Sequence, residues 1–264
     1  MRVWCIANQK GGVGKTTTAM SLASALAAHG WRTLMVDLDP HASLSRWVGI
    51  SEDPAPRGAF ELFAEPAPAL RELLQGAGQD KLHLLPAQPA LATLERQSAN
   101  RPGLGRALVT ALSGNHEFDY AVLACPPTLG VLMVAALAAA DLLVVPTQTE
   151  PLALHGLAAM VRTAEMIERS RGRPLPIAIV PSMFDKRTRA AVDSLAEMRA
   201  RFGERVWDEE IPVDTRLREA SRQNLSPDAL DAKARGASAY ARLCDWVVQY
   251  DLRSTAAPAT AKAS

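Results

Sequence analysis

Residues 10–17 read Lys10-Gly11-Gly12-Val13-Gly14-Lys15-Thr16-Thr17 and directly follow the apolar run Val3–Ala7. Gly11, Gly12 and Gly14 let the backbone curl so that successive N–H groups converge on an anion. A helix beginning at the end of such a loop adds its positive terminus. Lys15 is placed to hold β- and γ-phosphate oxygens, and the Thr16 hydroxyl to ligate Mg²⁺. The chemistry is phosphate binding. The general pattern G-x-x-x-x-G-K-[ST] calls for glycine where this chain has Gln9, so the loop is a variant. Lys10 is a second cation at the start of the loop. It costs repulsion when the site is empty and is useful where it meets phosphate charge developing during transfer. A further candidate set is the pair Asp37 and Asp39 in Val36-Asp37-Leu38-Asp39-Pro40-His41. Two carboxylates on alternate residues at the carboxyl end of a strand suit Mg²⁺ and water. Asp39 before Pro40 equally suits a helix N-terminus.

These residues need strands that end at one rim. Short apolar runs predict strands at Val3–Ala7, Thr33–Asp37, Leu82–Leu85, Tyr120–Ala124, Leu142–Pro146 and Ile177–Val180, with a weaker one near Val206–Ile211. Helical patterns follow at Lys15–His29, Gly103–Ser113, Leu152–Ser170, Thr188–Phe202 and Arg235–Tyr250. The alternation predicts an α/β fold, doubly wound, with a mostly parallel sheet and helices on both faces. Ligands on such sheets sit at the carboxyl ends of the strands. One domain is expected over residues 1–253. The stretch 51–70, rich in Pro, Ala and Glu, reads as a surface excursion with a short helix. The tail 254–264 is rich in Ala, Thr, Pro and Lys and is expected to be disordered.

Composition narrows the function. The chain has 264 residues, 48% of them hydrophobic, which is enough for one substantial core. A net charge of +1 imposes no global field toward nucleic acid or membrane, so any such binding must come from a local patch. Cys5, Cys125 and Cys244 form no CxxC pair, which suits a reducing cytoplasm rather than a disulfide framework or a structural zinc site. Met1-Arg2-Val3-Trp4 enters a strand at once, so no signal peptide is expected. The stretch Val131–Ala140 is too short to span a bilayer.

The loop resembles the variant P-loop Lys-Gly-Gly-x-Gly-Lys-Thr-Thr of the ParA/MinD family of ATPases. The resemblance implies ATP and Mg²⁺ as ligands and a nucleotide sandwich homodimer, with Lys10 reaching the partner's nucleotide. It gives Lys15 and the loop from Lys10 to Gly14 to the phosphates, Thr16 to Mg²⁺ and Thr17 to the α-phosphate. Asp39 becomes the carboxylate that orients water, and Asp37 lies near the metal. Where the family usually has Gln after the proline, this chain has His41, which reads as an exposed helix-start residue.

Tyr120-Ala121-Val122-Leu123-Ala124-Cys125-Pro126-Pro127-Thr128-Leu129-Gly130 is similar to the family's Walker B segment, with Ala124 at its aspartate position. That carboxylate helps hold the Mg²⁺ shell in P-loop NTPases. Asp119 lies five residues upstream, about 16 Å away at strand rise, and Asp141 likewise precedes its strand. Asp37 or Asp39 could compensate in part. The origin of Ala124 stays open between an engineered substitution and a natural residue of a slow ATPase or binding-only switch. Either predicts reduced turnover with nucleotide binding partly retained.

Further resemblances follow in order: Val145–Glu150, Pro181–Thr188, Ile211–Ala220 and Asp231–Gly236. They imply that Met183, Pro212 and Val213 lie by the adenine. A membrane-bound relative would need a basic amphipathic C-terminal helix, and Ser254–Ser264 has no such face, so no membrane insertion is expected. A DNA-partition role would draw on Arg187, Arg189, Arg216, Arg218 and Arg222, although Asp185, Asp193, Glu197 and Glu219 are interleaved and a solvated charged face fits as well. Met1–Trp4, Asp39–His41, Leu91–Gln97 and Pro212–Arg216 look most like the ParC subgroup linked to chemotaxis arrays. That implies a cargo adaptor, polar-landmark or array protein as partner. A binding-only ATP sensor is the reading from another class. The iron–sulfur branch needs paired cysteines at the dimer interface, which this chain lacks.

Overall fold

In the computed structural model the described residues are 1–51, 53–97 and 103–256. Seven strands form one sheet: β1 (Arg2–Ile6), β2 (Thr33–Asp37), β3 (Gln75–Gly76), β4 (Leu82–Leu85), β5 (Tyr120–Ala124), β6 (Leu142–Gln148) and β7 (Ile177–Ser182). Their spatial order is β3-β4-β2-β5-β1-β6-β7. All neighbours run parallel except the two-residue β3, which is antiparallel to β4. Continuous apolar runs form the inner strands because both faces of a parallel sheet are covered.

The helices are α1 (Lys15–Ala28), α2 (Ser43–Trp47), α3 (Leu91–Gln97), α4 (Ala107–Leu112), α5 (Val131–Ala139), α6 (Pro151–Arg171), α7 (Arg189–Phe202), α8 (Thr215–Arg222), α9 (Pro227–Asp231) and α10 (Arg235–Ala256). One face of the sheet buries Cys5, Val36, Leu123 and Val145 against α5 and α6. The other buries Trp4, Ile6, Met35 and Val122 against α1 and α10. β1 therefore sends alternate side chains into the two cores, and the loop after it leaves from the interior of the sheet.

Several sequence expectations change. Val206–Ile211 is not a strand: Val206 bridges Ile179 and Pro212 bridges Phe184, and residues 208–210 turn away between them. The helix expected over Gly103–Ser113 is a 3₁₀ turn, Leu104–Arg106, followed by the short α4. Val131–Ala139, read only as an apolar stretch, is the buried α5, and the Glu95 carboxylate caps its start by accepting from the Val131 and Leu132 amides at 2.8 and 3.2 Å. The final helix runs to Ala256, so the first three residues of the expected tail are helical. Asp251 explains the extension, since it accepts from Arg2 Nε and from Trp4 Nε1 at 3.0 Å each. Residues 257–264 lie outside the described residues.

Candidate functional site

The loop between β1 and α1 is pinned from three sides. Asn8 Nδ2 donates to the Pro146 carbonyl at 2.9 Å, and the Lys10 amide returns to Asn8 Oδ1 at 3.0 Å. Ser182 Oγ, at the end of β7, donates to the Val13 carbonyl at 3.0 Å. Gly14 caps α1 with φ of 95°, a left-handed conformation that a side chain would strain. Thr16 and Thr17 occupy the first turn of α1, where free amides face the loop.

The two lysines have different surroundings. Lys15 is 9% exposed, and its amine donates to the Lys10 carbonyl at 2.9 Å. Burial lowers its pKa, and the Asp39 charge offsets part of that. The Lys10 amine lies outside the loop and pairs with Glu150 at 3.1 Å, both groups being solvent-accessible. Sequence reasoning gave Glu150 no role. It could be found only by knowing that the end of β6 reaches the loop.

The two aspartates also differ. Asp39 accepts from the His41 amide at 3.0 Å and from His41 Nδ1 at 2.8 Å, beside the loop. Asp37 is buried, accepts from the Ser45 amide and hydroxyl at 2.9 and 2.8 Å, and takes the Asp39 amide at 3.1 Å. Burial pushes its carboxyl up to about 6. In this structure Asp37 anchors the 38–45 turn that carries Asp39. Ala124 ends β5 in register with Ile6 on one side and Asp37 on the other. No cluster of three or more His, Cys, Asp or Glu fit for a metal ion occurs among the described residues. That is compatible with Mg²⁺ brought by phosphates and water, with one or two protein ligands.

A cavity of about 420 Å³ opens beside the loop, lined by Gly14, Thr16, Thr17, Trp47, Met183, Pro212, Val213, Leu217, Arg218 and Tyr240 among others. All three residues expected by the adenine therefore line it. Met183 adopts φ of 53°, unusual for a side chain of its size, and Gln148 Nε2 contacts its sulfur at 3.2 Å. Trp47 and Tyr240 had no sequence signal, being placed by α2 and α10. A larger concavity, about 640 Å³, lies between residues 62–70 and α4 and holds none of the predicted site residues.

The five candidate DNA arginines do not form one unpaired patch. Arg187 grips Asp185 at 2.8 and 2.6 Å and holds its carboxyl down to about 2. Arg189 pairs with Asp193, and Arg222 pairs with Glu219. Arg218 lines the cavity, and on α8 it points about 200° away from Arg216 at 100° per residue.

A glycine loop running from a central parallel strand into a helix, with a lysine inside it and a nucleoside-sized cavity beside it, defines a P-loop α/β protein. A profile describing an AAA domain matches residues 1–177. The chain is 37% identical over 256 residues to the chromosome partitioning protein ParA of Caulobacter vibrioides, covering 94% of each. It is 39% identical over 245 residues to the chromosome-partitioning ATPase Soj of Thermus thermophilus, covering 92% of this chain and 94% of that one. It is also similar to a cobyrinic acid a,c-diamide synthase from Mycobacterium smegmatis solved with ADP and magnesium: TM-score 0.81, 32% identity, 97% of this chain and 96% of that one. The chain belongs to the ParA/MinD family of P-loop ATPases.

Proposed function

We propose that the chain is an ATP-dependent dimerising switch that positions or segregates a cargo in the cytoplasm. The observation that carries this reading is the division between the two lysines. Lys15 lies inside the loop and serves the chain's own phosphates, whereas Lys10 is held outside it, where a second copy can approach. Thr16 and Asp39 would hold Mg²⁺, which supplies charge neutralisation at the phosphates when bound. Asp39 orients the attacking water, Asp37 holds Asp39 in place, and Met183, Pro212 and Val213 bracket the base. Ala124 leaves this binding apparatus intact and removes one acceptor from the metal shell, so the chain holds ATP better than it hydrolyses it.

Two relatives, both chromosome-partitioning proteins, favour a DNA-linked cargo over a chemoreceptor array. Arg216 makes no ion pair among the described residues and is the candidate arginine best placed to meet phosphate. Sedimentation with ATP tests the switch: the chain should dimerise and Lys10→Ala should not, and unchanged sedimentation of that variant refutes the trans role. Deleting the gene separates the cargoes. Faulty DNA inheritance with normal receptor clusters supports partition, and the reverse supports the array. Dimerisation without any hydrolysis, even with partners present, supports a binding-only adaptor.

A further inference from the structure

Asp214 closes the segment that forms one wall of the cavity, and both of its carboxylate oxygens are used. One accepts from the Arg216 amide at 2.9 Å and caps the start of α8. The other accepts from the Gly236 amide at 2.8 Å, in the first turn of α10. A single carboxylate thus meets the positive ends of two helices, a placement that favours the ionised form. Gly236 lets the helices approach closely, because a Cβ there would lie 2.9 Å from Leu217 Cγ. The same segment is tied to the end of β7, where the Val213 amide donates to the Phe184 carbonyl at 3.3 Å.

Both helices line the cavity. Leu217 and Arg218 of α8 stand beside Pro212 and Val213, on the side read as the base end. Tyr240 of α10 stands behind the phosphate loop, its hydroxyl 3.1 Å from Thr18 Oγ1 and 4.0 Å from where a Cβ on Gly14 would be. The Arg235 guanidinium, at the start of α10, also donates to the Val213 carbonyl at 3.4 Å and Leu217 packs on Gly236, so Asp214 is the member of this junction that caps both helices.

We infer that Asp214 is a positioning residue for the nucleoside end of the site: by capping both helices it fixes the distance from the base wall to the phosphate loop. This rests on the nucleotide reading of the cavity. Asp214 itself lines the cavity, with its two carboxylate oxygens taken by the two helix amides. It selects for a ligand that spans both ends over one that fills the loop alone.

The test compares Mg²⁺·ATP with Mg²⁺·tripolyphosphate, which has no base, by calorimetry on the full chain. Asp214→Ala should weaken ATP about tenfold, equivalent to about 1.4 kcal/mol, and leave tripolyphosphate unchanged. Asp214→Asn keeps a cap for α8 but leaves the Gly236 amide unmatched, so it should fall between. Ser226→Ala is the control for lost stability, since Ser226 Oγ caps α9 by accepting from the Ala229 amide and does not line the cavity. It should lower the melting temperature without changing either affinity. Equal losses for ATP and tripolyphosphate in Asp214→Ala, or no loss for either, overturn the inference. Failure of the unaltered chain to bind ATP overturns the nucleotide reading itself.

Discussion

Replacing Ala124 with Asp tests the metal side of the site. Ala124 is 4% exposed and stands in register beside Asp37 on β2. Side chains at paired positions of parallel strands share a face, and their Cβ atoms lie about 5 Å apart. At an effective dielectric near 20, two carboxylates at that separation repel by about 3 kcal/mol. Asp37 is already disfavoured as an anion, its carboxyl pushed up to about 6 by burial. Ala124→Asp should therefore be less stable than the parent in EDTA at pH 7.5 by about 2–3 kcal/mol. Mg²⁺·ATP should restore most of that loss, because a cation between the strands relieves the repulsion. Turnover should rise about 10- to 100-fold, the usual scale for a carboxylate that orients a metal's ligands. The assay is phosphate release across a Mg²⁺ titration, paired with denaturant unfolding with and without Mg²⁺·ATP. Equal, brisk hydrolysis by parent and variant would refute the impairment. A variant as stable as its parent in EDTA would refute the geometry.

Two other perturbations address the loop and its backing helix. Glu150→Gln releases the Lys10 amine, and exposed pairs are worth about 0–1 kcal/mol, so the ATP midpoint for dimerisation should fall by up to about fivefold; a higher midpoint would place Glu150 at work across the interface instead. Tyr240→Phe should change the alkaline limb of stability. Burial raises the Tyr240 hydroxyl from its usual 10 to about 12. Between those values the unfolded chain has lost the proton and the folded chain keeps it. Its contribution is full below pH 10 and is lost as pH rises toward 12, about 3 kcal/mol in all. Denaturant unfolding at pH 9 and 11.5 should show that extra loss in the parent and not in Tyr240→Phe, and parallel losses in both would sink the assignment.

The parts of this fold that were legible in the sequence are those set by local pattern. Inner strands such as Val3–Ala7 and Tyr120–Ala124 are apolar on both faces, and the glycine loop needs its left-handed turns in order. Lys10, Lys15 and Asp39 stand out in the sequence because each sits within a few residues of that loop or at a strand end. The structure departs from expectation where distant groups decide. The helix extends past Tyr250 because Arg2 and Trp4, some 249 and 247 residues away, hold Asp251. Asp37 is taken up by Ser45 because Ala42, at φ of 52°, turns the chain back toward it. Val206–Ile211 has strand composition, but the acidic run Asp208-Glu209-Glu210 breaks its pairing with β7.

The charged groups a nucleotide would use are, in this structure, occupied by protein partners. The Lys15 amine rests on the Lys10 carbonyl, the Lys10 amine on Glu150, and the Asp39 carboxylate on His41. The Lys10–Glu150 pair is solvent-accessible and the Lys15 amine meets a single neutral acceptor, so both contacts are weak enough to be displaced. Phosphate arriving at Lys15 removes the donor held by the Lys10 carbonyl, and that carbonyl belongs to the residue whose side chain must leave Glu150. The Lys15 amine and the Lys10 side chain thus meet at one residue of the loop. Ala124 takes no part in this exchange, because it lies at the end of β5 and offers only a methyl group. Replacing Ala124 therefore alters a position that none of these three contacts uses.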